Sequence, residues 1–160
     1  MSASNVAIVG AGVGGLSLAL ALRERGIDAR IYERTNELRE VGAAVYLAAN
    51  ATRFLARFGV APQFEEVSWS PPALIYRDGR DGRVIGRHVG PEDRVFGAPG
   101  WGVHRADLQR ILSEAVGLDR IHLGHEVTSY ANVGDGVRLS FADGTHAEAD
   151  LVVGADGARS

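Results

Sequence analysis

The segment Gly10-Ala11-Gly12-Val13-Gly14-Gly15 constrains this chain more than any other. It follows the uncharged run Val6-Ala7-Ile8-Val9 and precedes Leu16, Leu18, Ala19, Leu20 and Leu22. A β-branched run ending in glycine predicts a strand buried in a parallel sheet. The leucines carry helical spacing, and Gly26 closes that helix as its C′ residue. Asp28–Glu33 then predicts a second strand, so strand, helix and strand fit the size of one βαβ unit with a right-handed crossover. In that setting G-x-G-x-x-G has a physical meaning. Gly10 permits the tight turn, Gly12 lets the backbone approach a pyrophosphate, and Gly15 lets the helix pack close to the strand. The free N–H groups of the helix start, around Gly12, Val13, Gly14 and Gly15, then face the phosphates along a favourable dipole.

Glu33 ends the second strand, 33 − 15 = 18 residues past the last motif glycine. An acid about 20 residues on is the expected partner of a ribose hydroxyl pair. A carboxylate there favours a free 2′-hydroxyl, as in FAD or NAD, and repels the 2′-phosphate of NADP. Arg34 runs against this slightly, because arginine accepts such a phosphate. The residues alone thus give a dinucleotide site and leave FAD and NAD both open.

The remaining pattern predicts an α/β fold, a Rossmann-like βαβ unit with a parallel sheet joined to an antiparallel meander. A second helix is expected over Ala48–Phe58, with Phe54, Leu55 and Phe58 on one face. Residues 62–100 are rich in proline and glycine. Within them Ala73–Arg77 and Val84–Val89 flank the turn Asp78–Gly82 and predict a hairpin. Arg105–Val116 returns to helix, with Leu108, Ile111, Leu112 and Ala115 as its apolar stripe. Glu126–Ala131, Val137–Phe141 and Thr145–Ala149 predict the meander, and Leu151-Val152-Val153-Gly154 a return to the parallel sheet. The expected layout is one FAD- or NAD-type domain over 1–160, made of a dinucleotide-binding part (1–47), a helix with a partial hairpin (48–104), and a helix, meander and final strand (105–160).

Charge and composition narrow the function classes. Lys and Arg number 17 against 20 Asp and Glu, a net charge of −3, with no basic cluster to attract nucleic acid. There is no cysteine, which excludes disulfides and thiolate metal sites and fits a reducing cytoplasm. Val6–Leu22 is uncharged but short of a membrane span, and Met1–Asn5 lacks a basic signal-peptide start. His88, His104, His122, His125 and His146 show no metal-ligand spacing, and Trp69 and Trp101 are expected to pack. No general acid or base stands out as catalytic.

Four further segments resemble the single-component FAD-dependent aromatic hydroxylases, the group of salicylate hydroxylase and para-hydroxybenzoate hydroxylase. They are Val41–Ala51 after the second strand, Val103-His104-Arg105-Ala106-Asp107-Leu108 at a helix start, Val127 in the first meander strand, and Gly154-Ala155-Asp156-Gly157-Ala158-Arg159-Ser160. Their order and spacing match the family over essentially the whole chain. The resemblance implies that Gly12, Val13, Gly14 and Gly15 hold the FAD diphosphate and Glu33 the adenosine ribose. It places Arg34 beside the adenine end, Val127 with its backbone on the adenine, Ala43 on the flavin approach, and Arg105 on the FAD. Asp156 is associated with the FAD-side loop and NAD(P)H use, with a plain turn aspartate as the equal alternative. Tyr46 is expected in the core rather than at the substrate.

The resemblance further implies reduction of FAD by NAD(P)H and hydroxylation of an aromatic or similar small molecule with O₂. The family's later Gly-Asp segment is not found here, since Gly134-Asp135 sits in a meander turn. An incomplete domain is therefore expected, whether as a fragment, a truncated gene product or one part of a split protein. A non-catalytic dinucleotide-binding remnant that forms a homodimer or joins a missing C-terminal portion is the alternative. An NAD-dependent dehydrogenase domain is a weaker third reading.

Overall fold

The computed structural model describes residues 5–38, 42–89 and 96–157. The chain divides into two compact units, one formed by residues 1–41 and 108–160 and the other by residues 42–107.

The first unit is built on a four-stranded parallel sheet. Its strands are β1 (Asn5–Val9), β2 (Asp28–Glu33), β7 (Ile121–Leu123) and β11 (Leu151–Gly154), in the order β11-β1-β2-β7. Ile8 lies between Ile31 and Val153 in register. Strand pleating sends alternate side chains to opposite faces, and both faces are covered. Ile8 and Ile31 are fully buried with Leu16 and Leu20 of α1 (Val13–Arg23). On the other face Ala7 and Tyr32 join Leu139, Phe141 and Ala149 in a second buried cluster. Those last three come from the antiparallel meander of β8 (Val127–Val133), β9 (Gly136–Phe141) and β10 (His146–Ala149). The predicted α/β fold, with its last strand returning to the parallel sheet, is the fold observed, and that strand lies beside β1.

The second unit holds two separate two-stranded antiparallel sheets. β3 (Ala44–Leu47) pairs with β6 (Trp101–His104), and β4 (Ala73–Arg77) with β5 (Val84–Val89). The β4–β5 hairpin falls where the sequence places it. Its turn is closed by Asp78, whose N–H donates to the Arg83 carbonyl at 2.7 Å and whose carboxylate accepts from the Arg80 N–H at 2.9 Å. Leu55 of α2 (Ala49–Arg57), Phe64 of α3 (Ala61–Val67), and Trp101 and Val103 of β6 are buried, with the Phe64 and Trp101 rings stacked at 6.1 Å. The chain crosses between units inside α4 (Arg105–Val116), whose bounds are those predicted.

Three side-chain expectations differ from what is seen, and one helix is unanticipated. Phe54 is exposed, because α2 turns Ala49, Thr52 and Leu55 inward and leaves Phe54 beside Phe58 on its rim. Tyr46 is likewise partly exposed rather than core, and Trp69 is exposed while Trp101 packs. The proline-rich stretch contains a helix, α3, because Pro62 occupies its first turn, where no N–H is needed. Ala158, Arg159 and Ser160 of the final segment and Val41 of the earlier one lie outside the described residues. No described helix is long and apolar enough to cross a membrane.

Candidate dinucleotide site

The glycine-rich turn follows β1 and opens α1. Gly10 has φ +106°, and a Cβ there would lie 2.5 Å from the Ala155 carbonyl oxygen, so only glycine fits between the ends of β1 and β11. At Gly15 a Cβ would approach the Gly10 carbonyl oxygen to 2.0 Å. Gly12 is the N-cap residue of α1, and its carbonyl accepts from the Leu16 N–H at 3.0 Å. A Cβ at Gly12 or Gly14 would meet nothing within 4 Å. The first N–H groups of a helix have no partner inside it, and here no side chain caps them. A helix start without a side-chain cap, at the positive end of the helix dipole, is suited to an anion.

Ala11 joins this loop to the end of β2. Its N–H donates to Glu33 Oε2 at 2.9 Å, while Glu33 Oε1 accepts from the Thr35 N–H and hydroxyl, each at 3.0 Å. Burial raises the Glu33 pKa, but the hydrogen bonds from Ala11 and Thr35 and the neighbouring Arg34 charge outweigh it and hold the carboxyl below its ordinary value. A carboxylate offers about four lone-pair positions. These three donors therefore leave capacity for a further hydroxyl.

Glu33 borders a cleft of about 620 Å³ between the C-terminal end of the parallel sheet and the meander. That is the size of a small-molecule site. Gly10, Arg34, Val127 and Asp156 line it too, whereas Gly12, Val13, Gly14 and Gly15 are not among its lining residues. The site lies where ligands bind in open α/β sheets, outside the carboxyl ends of the strands. His125 also borders the cleft, and its N–H donates to the Glu33 carbonyl at 2.8 Å, while the Gly124 N–H donates to the Thr35 carbonyl at 2.9 Å. Burial, His125 and Arg30 hold the His122 pKa below its ordinary value, and the ring stacks on Tyr32 at 5.0 Å.

Ala43 and Arg105 belong to the second unit, where the Arg105 N–H donates to the Ala43 carbonyl at 3.4 Å. Sequence reasoning did not find Thr35 or Gln109. Gln109 is buried on α4, and its Nε2 donates to the Ala11 carbonyl at 3.1 Å. Gln109 shares the buried face of α4 with another polar residue, Ser113, so its sequence position alone does not single it out.

The family model described as "FAD binding domain" matches residues 3–160. This chain belongs to that FAD-binding domain family. Among the relatives of this FAD-binding domain is 3-amino-4-hydroxybenzoate 2-monooxygenase of Streptomyces cremeus, 40% identical over 157 residues that are 97% of this chain and 40% of that protein. FAD-dependent urate hydroxylase of Mycolicibacterium vanbaalenii is 38% identical over 158 residues, again 97% of this chain and 40% of the relative. A crystal structure of Klebsiella pneumoniae HpxO complexed with FAD and uric acid superposes with a TM-score of 0.81 at 34% identity, covering 96% of this chain and 39% of that one. The FAD-binding domain described here thus spans about two fifths of the length of the curated relatives it matches.

Proposed function

We propose that the first unit binds FAD as the cofactor domain of an NAD(P)H-dependent flavoprotein monooxygenase acting on an aromatic or similar small molecule. The observation that carries the reading is the joint geometry of the glycine loop and Glu33. Gly12, Val13, Gly14 and Gly15 present main-chain N–H groups to the diphosphate. The spare lone pairs of Glu33 accept from the adenosine ribose, Arg34 and the Val127 backbone flank the adenine, and Asp156 and Gly10 close the side of the cleft toward β11.

The residues fit this group on independent grounds. The space over Gly12 and Gly14 is left open, whereas that over Gly10 and Gly15 is filled by protein. Bound by these residues, FAD would supply the redox chemistry, with NAD(P)H as electron donor and O₂ as the source of the transferred oxygen. The chain's own residues bind and orient it. The substrate class is supported by the relatives, whose names describe hydroxylation of urate and an aminohydroxybenzoate.

Titration with FAD, followed by quenching of flavin fluorescence, tests the reading. One FAD per chain is expected, with ADP competing and an ADP carrying a 2′-phosphate competing at least tenfold more weakly because of Glu33. Binding of NAD without FAD, or indifference to the 2′-phosphate, would overturn it.

A further inference from the structure

We infer that Gln109 is a positioning residue that aims the Gly12 amide at the diphosphate. The inference rests on the FAD reading above. Its basis is the orientation of two consecutive peptide units in the glycine loop.

A trans peptide is planar, with its C=O and N–H pointing in opposite directions, and no cis bond occurs among the described residues. The Ala11 carbonyl and the Gly12 N–H belong to one such plane. Gln109 Nε2 holds that carbonyl at 3.1 Å from the buried side of α4, so the Gly12 N–H must face away from α4. An added Cβ at Gly12 would meet nothing within 4 Å, so no protein atom crowds this residue from the side-chain direction. The preceding plane is fixed in the same manner. Glu33 holds the Ala11 N–H at 2.9 Å, which turns the Gly10 carbonyl the opposite way, toward Gly15, where a Cβ would lie 2.0 Å from it.

Glycine tolerates both signs of φ, so Gly12 itself does not prevent the Ala11–Gly12 peptide from rotating over. A rotated peptide would direct a carbonyl oxygen, not an N–H, at the phosphates. An anion would then meet a negative dipole end. Gln109 removes that alternative, because rotation would leave its buried amide without the Ala11 carbonyl, a costly loss in a dry interior.

Gln109→Met keeps the length and apolar stem of the side chain and removes the donor. Calorimetric titration of wild type and variant with ADP, and separately with adenosine, tests the role. ADP affinity is expected to fall about tenfold, the scale of one hydrogen bond to a charged group, with adenosine affinity unchanged. A merely structural glutamine would weaken both ligands together. Equal loss of both, or no loss of either, overturns the inference.

If Gln109→Met does not fold, Gln109→Glu gives the same reading. Its protonated carboxyl can donate to Ala11, so ADP affinity relative to wild type is expected to be lower at pH 8 than at pH 5.5. A ratio independent of pH overturns the role. Wild-type protein that binds neither ADP nor FAD sinks the FAD reading itself, an outcome visible before any variant is compared.

Discussion

Two sides of one loop use glycine for opposite reasons. On the inner side, Gly10 and Gly15 are glycines because protein atoms occupy the place of a Cβ. On the outer side, a Cβ added at Gly12 or Gly14 would meet nothing within 4 Å. The inner pair serves the fold and the outer pair serves a ligand. A motif that reads as one string of letters therefore carries two separable kinds of constraint.

Substitutions should separate them, starting with the inner pair. Gly15→Ala places a methyl inside the Gly10 carbonyl and is expected to cost about 3 kcal/mol or more, read as a lowered denaturation midpoint. Gly10→Ala should behave similarly, since it adds a left-handed backbone penalty to a clash with Ala155. If either variant keeps wild-type stability, the inner role is wrong. Gly12→Ala is expected to stay within about 1 kcal/mol of the parent yet lose at least tenfold in FAD affinity, measured by fluorescence quenching.

The acid response sharpens the link between the loop and β2. Because Glu33 titrates below its ordinary value of 4.5, the folded state binds its proton less readily than the unfolded chain. The stability it confers is present above pH 4.5 and is lost as pH falls through the lower folded value. Thermal unfolding between pH 6 and pH 3.5 should therefore slope less steeply in Glu33→Gln. The smallest effect is a gain. Gly14→Ala adds a better helix former at an exposed position in the first turn, raising stability by up to about 0.5–1 kcal/mol, while weakening FAD. Stabilisation without loss of affinity would assign Gly14 no ligand role.

The two units were not equally legible in the sequence. In the first, β1, α1, β2 and the final strand follow local rules of period and spacing, and α4 falls on its predicted bounds. Glu33 could be found because its distance from the motif is set by the length of one helix and one strand. Gln109 could not, since its bond to Ala11 joins residues 98 apart and no period announces it. In the second unit the β4–β5 hairpin was legible from its turn residues. The pairing of β3 with β6 joins distant segments, and Pro62 looks like a breaker until its place in the first turn of α3 is known. β7 is three residues long and defined only by its partner β2. Thr35 escaped notice because its two bonds to Glu33 depend on how the chain turns after β2.

Amide chemical-shift mapping of the ¹⁵N-labelled protein during titration with FAD addresses the main assignment most directly. The largest movements are expected at Gly12, Val13, Gly14 and Gly15 and at Thr35 beside Glu33, while the β4–β5 turn at Asp78–Gly82 stays still. Saturating FAD that leaves the loop amides unmoved would contradict the account.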